Sequence, residues 1–446
     1  MTFLGSDLVD RRLHRRAVEA AIWGMPAVNY ELMRTAMSPD RGNQFVYWSR
    51  LLDWRNQTLT PNPDLIYYMA FMDTREGPIV VDIPANDEDQ ALNGTLCSVF
   101  QMPLVDIGRL GYDKGRGGRF VILPPGYTDP VPEGFVPLPC DTYGSYTLIR
   151  SVLTDSTQEA LDRGLAICHR IRIYPLSQAD DPPANQRRDL SDEIVDTLIP
   201  YDIRFFETLD RIVQAEPWLE RDRALSEILE TVGIKRGRPF SPDEHDTKIL
   251  ESAIEETHDL LRYSYENEVE LWAEGSQWFF PVTRDFAEAQ ATGYGNDQVN
   301  PYTNRGVIYH MAFIGIKHVG TAQFYLVDLR DSDGNLFDSA KHYRLRLPAG
   351  VPVSQYWSVV VYDGHTHGLI RGNDQYSVTP MTEGLRVNDD GSVDVHFAQR
   401  RVPGFEANTI PTSGSSRFEL MFRFYGVQPE VMSKEWILPN VELVSD

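Results

Sequence analysis

A chain of 446 residues, 42% hydrophobic and 24% charged, is long enough for at least two buried cores and too apolar to be disordered. Its formal charge of -23 opposes nucleic acid and anionic lipid, since both repel a uniformly acidic surface. Cys97, Cys140 and Cys168 are too few and too scattered for a disulfide framework or a Cys-based zinc site, and are expected as reduced core residues.

The N-terminus lacks a secretory apolar region, and no run approaches the ~18 apolar residues of a membrane span. A cytoplasmic protein is expected, and homo-oligomerisation stays open. Apolar residues from Arg11 to Gly24 fall near helical spacing, which predicts an amphipathic helix ended by Pro26. From Gln44 to Leu153 the pattern becomes short apolar runs divided by Gly and Pro, including "LIYYMAFMD", "GPIVVDIP" and "GGRFVILPPGY". That is the texture of a β-rich domain.

Residues 179–189, "ADDPPANQRRD", are polar and rich in turn formers, and make the best linker candidate. Helical texture dominates from Ile203 to Trp272, where Phe205, Phe206, Leu209, Ile212 and Val213 form one stripe. A second helix is expected to open at "SPDE", with Ser241 as cap, Pro242 at the first helical position and Glu244 completing a capping box. The last third returns to strands, such as "KHYRLRLP", "QYWSVVVYD", "SVDVHFAQ" and "RFELMFRFYG". The fold class expected is α+β: two β-rich domains, sandwich or jelly-roll-like, joined by a helical block. The expected boundaries are 1–43 for an N-terminal helical segment, 44–157 for the first β-rich domain, 158–299 for the helical block and 300–446 for a helix plus the second β-rich domain.

There is no P-loop, no dinucleotide-binding glycine motif, no nucleophile elbow, no HExxH and no CxxC. No nucleotide cofactor is expected. Four polar constellations remain. In "TPNPD", residues 60–64, Pro61 and Pro63 remove backbone donors while Asn62 and Asp64 suit Asx turns. Tyr67 and Tyr68 follow on opposite faces of a strand, so one turns inward and needs a hydroxyl partner that Asn62 or Asp64 can supply. Residues 300–318 read as a helix apolar on nearly every side through Val307, Ile308, Met311, Phe313, Ile314 and Ile316. It carries Arg305 and Tyr309 on one face, with His310 beside them, and these groups require partners or serve a site. In "YDGHTHG", His365 and His367 share a face if the segment is extended, a spacing that suits two imidazoles on one metal. Tyr356 and Trp357 lie on opposite faces of a strand, so one ring is core and the other is free to line a cavity.

These segments also carry a resemblance. "TPNPDLIYYMAFMDTREGPIVVDIP", "GRGGRFVILPPGY" and "TYGSYTLIRSVL" with Arg150, followed by Arg305, Tyr325, "DSDGNLFDSAKHYRLRLPAGVPVSQYWSVVVYD" and "SSRFELMFRFYG", look like a two-domain family. That family combines the domains of unknown function numbered 1254 and 1214. The resemblance covers residues from about 15 to about 440 and implies β-rich domains joined by helices, without a settled activity. Where the family commonly has Asn-Trp-Leu-Pro, this chain has Asn408 to Pro411 as "NTIP", and His365 and His367 sit at positions expected to vary.

The function expected is an enzyme acting on a small molecule in an interdomain pocket. One form is a non-haem metalloenzyme, an oxidoreductase using iron or zinc, with Tyr309, His310 and the pair His365 and His367 as candidate ligands. Arg305, Tyr67 and Asp64 would complete its catalytic set, with Asn62, Trp357 and Arg150 binding substrate. Two alternatives stay open: a metal-independent hydrolase or lyase using Tyr and His acid-base chemistry, or a non-catalytic protein that binds a small molecule or carbohydrate.

Overall fold

The computed structural model describes residues 5–40, 44–87, 90–153, 155, 157–293, 301–312, 317–318 and 323–444. Phe313, Ile314 and Ile316 of the expected 300–318 helix lie outside them.

Pro26 does not end the first helix, which runs from Gly5 to Met37. Proline lacks the N–H that would bond the carbonyl four residues back, here that of Ile22. The gap is covered from outside: a Cβ on Gly306 would stand 3.0 Å from the Ile22 oxygen, so only glycine lets the neighbouring helix close over it. Burial of Ala20, Ala21, Trp23, Met25, Ala27 and Val28 around the proline offsets the lost bond. This helix packs against those at Ile203–Ala215, Leu225–Val232, Glu244–Asn267 and Tyr302–Met311. The N-terminal segment and the helical block are therefore one layer. No described helix is long and apolar enough to cross a membrane.

The helix expected to open at Ser241 starts at Glu244 instead, capped by Asp243, whose carboxylate accepts the Asp246 N–H. A shorter capping loop with Asp at the cap also favours the positive end of the helix dipole.

The first β-rich domain is a sandwich. Its larger sheet orders the strands Gln186–Asp189, Gln44–Tyr47, Leu65–Asp73, Gly144–Val152, Ala91–Ser98 and Pro103–Ile107. Its smaller sheet orders Arg172–Pro175, Ile79–Ile83, Gly118–Leu123 and Phe135–Pro139. Two of these strands lie beyond residue 157, so the expected boundary falls short. Residues 186–189 of the supposed linker pair in parallel with Gln44–Tyr47, because an edge strand tolerates charged side chains that a central strand would not.

The second sandwich packs the sheet Gln323–Asp328, Phe418–Val427, Val353–Asp363, Ser377–Val378 on the sheet Thr409–Pro411, Val393–Ala398, Tyr343–Leu347, Glu442–Leu443. All three cysteines are buried as reduced thiols.

Candidate functional site

Period-2 alternation places the site. On Leu65–Asp73, Ile66, Tyr68 and Ala70 fill the first sandwich, whereas Tyr67, Met69 and Phe71 face the helices and the second domain. On Phe418–Val427, Phe418, Leu420, Phe422 and Phe424 fill the second sandwich, which leaves Glu419, Met421, Arg423 and Tyr425 on the other face. Likewise Trp357 is core and Tyr356 looks outward, stacked on Tyr425 with ring centres 4.2 Å apart.

Each domain presents an arginine opposite a tyrosine on the neighbouring strand: Arg150 pairs in register with Tyr67, and Arg423 with Tyr325. The Arg150 guanidinium carbon lies 5.6 Å from the Tyr67 ring centre, and that of Arg423 lies 5.2 Å from Tyr325. All four side chains line one narrow interdomain cavity of about 50 Å³, closed by Met33 and Met37 of the first helix. Among the described residues its lining contains no Asp or Glu.

The "TPNPD" segment is the rim of this cavity and a latch between domains. Thr60 takes a positive φ of 40°, strained for a β-branched residue, and its carbonyl accepts from Arg423 at 3.2 Å. The Pro61 carbonyl accepts from Tyr362 Oη at 2.7 Å, and the same oxygen of Tyr362 accepts from Arg423 at 2.6 Å. Asn62 donates its backbone N–H to Tyr67 Oη at 3.0 Å and its side-chain amide to Tyr425 Oη, while its carbonyl oxygen caps the Asp64 N–H at 2.9 Å. Asp64 accepts from Ser377 of the second domain. Burial raises the Asp64 pKa, against the opposing pull of Ser377, Ser358 and Arg423.

The comparisons with known proteins agree with this division. The model for a protein of unknown function, DUF1254, matches residues 42–175, and that for a second such domain, DUF1214, matches residues 322–429. The chain belongs to this DUF1254–DUF1214 family. Among solved structures it is similar to the VPA0106 protein from Vibrio parahaemolyticus, at 17% identity and a TM-score of 0.58, over 97% of this chain and 100% of that one. It is also similar to a putative uncharacterized protein from Burkholderia cenocepacia, at 13% identity and a TM-score of 0.43, over 98% of this chain and 95% of that one. No curated protein matches.

Several expected site residues of this DUF1254–DUF1214 protein lie elsewhere. Arg305 is 1% exposed and donates to the Phe100 carbonyl, and Tyr309 donates to that of Gln101, both at 3.2 Å. This pair anchors its helix to a turn of the DUF1254 domain, because four-residue spacing aims both side chains at consecutive carbonyls. Neither lines the cavity. Trp357 is core, stacked on Phe422, so the expected substrate contact falls to its neighbour Tyr356. Asp64 touches Ser377 rather than Tyr67, whose partner is the Asn62 backbone.

Of the four expected metal ligands, His310 and His367 come together, whereas His365 and Tyr309 lie apart from them. His365 is exposed on Ser416, whereas His367 turns inward at a φ of 58° and bonds Glu419 at 2.9 Å, since the segment is a tight turn and not a strand. Tyr309 and His310, adjacent on a helix, point apart. His310 sits between His258 and His367, with ring centres 5.5 and 5.0 Å away, and its Nδ1 meets Tyr201 Oη. Burial, with His367 and His258 beside it, holds the His310 pKa well below its usual value. Among the described residues no group of three or more His, Cys, Asp or Glu is arranged to hold a metal ion.

Arg423 and Glu419 escaped the sequence reading although a signal existed: alternation along "FELMFRFYG" sets both on the face away from the aromatic core.

Replacing Asn62 tests the latch. Asn62→Ala removes the bonds to Tyr425 and Asp64 and strands buried polar groups, so a loss of about 2–4 kcal/mol is expected in urea denaturation. A loss below about 0.5 kcal/mol would make the segment an ordinary turn.

Proposed function

We propose that the protein binds a small organic anion between Arg150 and Arg423, without a metal. One observation carries this reading: two guanidinium groups from different domains line one narrow cavity whose described lining residues offer no carboxylate. Arginine is suited to carboxylates through its planar donor fork. An anion about 4 Å from each guanidinium would gain roughly 4 kcal/mol per contact at an effective dielectric near 20. Tyr67 adds a directional donor, since its oxygen already accepts the Asn62 N–H and its own proton is left for the cavity.

That last feature favours a second reading, a metal-independent hydrolase or lyase with Tyr67 as the acid. For any acid found to bind, Tyr67→Phe should keep affinity within about tenfold and abolish turnover if the protein is such an enzyme.

Binding is tested by calorimetry with short carboxylates. Saturable binding that survives EDTA and is absent with the matching neutral alcohols is expected. Equal binding of acids and alcohols, or loss of binding in EDTA, would sink the proposal.

A further inference from the structure

We infer that the anion is the head of an amphipathic carboxylic acid whose apolar body occupies the cleft beyond Pro281, an inference that rests on the anion-binding reading above. The inner cavity, at about 50 Å³, has the volume of one or two waters at about 30 Å³ each. It accepts a planar carboxylate and little more, so the rest of a ligand must lie outside it.

Pro281 lines both this cavity and a second, larger cleft of about 560 Å³. Ala312 lines the inner space and the preceding Met311 lines the outer one, so the two spaces adjoin at Pro281 and at residues 311–312. The outer cleft is within the size range of small-molecule pockets. Trp272, Phe279, Phe280, Val307 and Met311 give it an apolar lining. Phe280 is held by stacking on Phe324, ring centres 5.1 Å apart, and Phe324 neighbours the cavity tyrosine Tyr325 on the same strand. Phe280 of the cleft and Tyr325 of the anion site are thus both tied to the strand Gln323–Asp328, and a molecule with one charged end and one apolar end matches the two spaces.

The test is calorimetric titration with propionate, hexanoate, octanoate and octyl phosphate. Octanoate is expected to bind more tightly than propionate, by about fourfold for each methylene buried. In Val307→Trp, which fills the cleft, the gain with length should vanish. Thr303→Trp, at an exposed position on the cleft rim, provides the same comparison if the first variant does not fold. If propionate binds and lengthening changes nothing, or both tryptophan variants keep the full gain, the cleft assignment is overturned while the anion site stands. If octyl phosphate outbinds octanoate, the carboxylate head is overturned. If no acid of any length binds, the anion site and this inference fall together.

Discussion

Arg423→Met should weaken binding of a short carboxylate by at least about a hundredfold while the protein stays folded, with its melting temperature unchanged within a few degrees or raised. The two halves of this result have different causes. Binding is lost because the anion gives up one of two guanidinium contacts in a narrow interdomain site, and a buried charge contact exceeds the roughly 2.7 kcal/mol that a hundredfold change represents. Stability is kept because Arg423 is a buried cation with no ion-pair partner among the described lining residues of the cavity, and holding it there costs desolvation energy. Methionine preserves the apolar stem. The hydrogen bonds lost are those to Thr60 and Tyr362, and Tyr362 keeps its bond to Pro61. Calorimetry and a thermal melt on one preparation decide it. A fall of ten degrees or more would mean that Arg423 serves the latch first.

Asp328→Asn should remove most of the alkaline loss of stability. Asp328 is fully buried, and burial pushes its pKa up to about 8, against hydrogen bonds from the Arg330 and Leu329 backbone and with the Asp331 charge adding to the rise. An unfolded aspartate titrates near about 3.9. Between these values the native state holds a proton that the unfolded state releases, so the contribution is fully present below about pH 4. It is lost at about 1.4 kcal/mol per unit as pH rises toward 8, and is flat above. An amide in place of the carboxyl group cannot titrate, so the variant should gain about 4 kcal/mol relative to wild type between pH 5 and pH 8. His310 acts in the opposite sense: its depressed pKa makes stability fall as pH drops below about 6.5, and it affects both proteins equally. Urea denaturation at pH 5, 6.5 and 8 reads the difference. A constant gap between the two proteins would show that Asp328 is ionised in the fold.

The sequence was most legible where a period is enforced by a core. The strands Leu65–Asp73, Val353–Asp363 and Phe418–Val427 alternate because one face of each fills a sandwich, and the stripe from Phe205 to Val213 repeats at helical spacing for the same reason. The family resemblance, carried by an ordered run of motifs, matches the two domain models. Legibility failed where a local rule was outweighed. Pro26 predicts a break, yet packing on both sides of it carries the helix on to Met37. "YDGHTHG" fits an extended segment as well as a turn, and only the turn sends His365 to solvent and His367 to Glu419.

What the sequence determined by itself was the α+β class, the two β-rich domains, and a set of polar residues: Asn62 and Asp64 in a proline-bounded turn, Tyr67 on the strand after it, Arg305 and His310 on an apolar helix, and Arg150 through the family resemblance. Period and composition are local properties, and local properties reach that far. Which of these residues meet was decided by tertiary structure alone, because the register of Tyr67 on Arg150, and of Tyr325 on Arg423, joins positions far apart in the chain. Only the docking of the two sandwiches through the 60–64 latch turned two separate Arg–Tyr pairs into one narrow, positively charged cavity, and left Arg305 outside it.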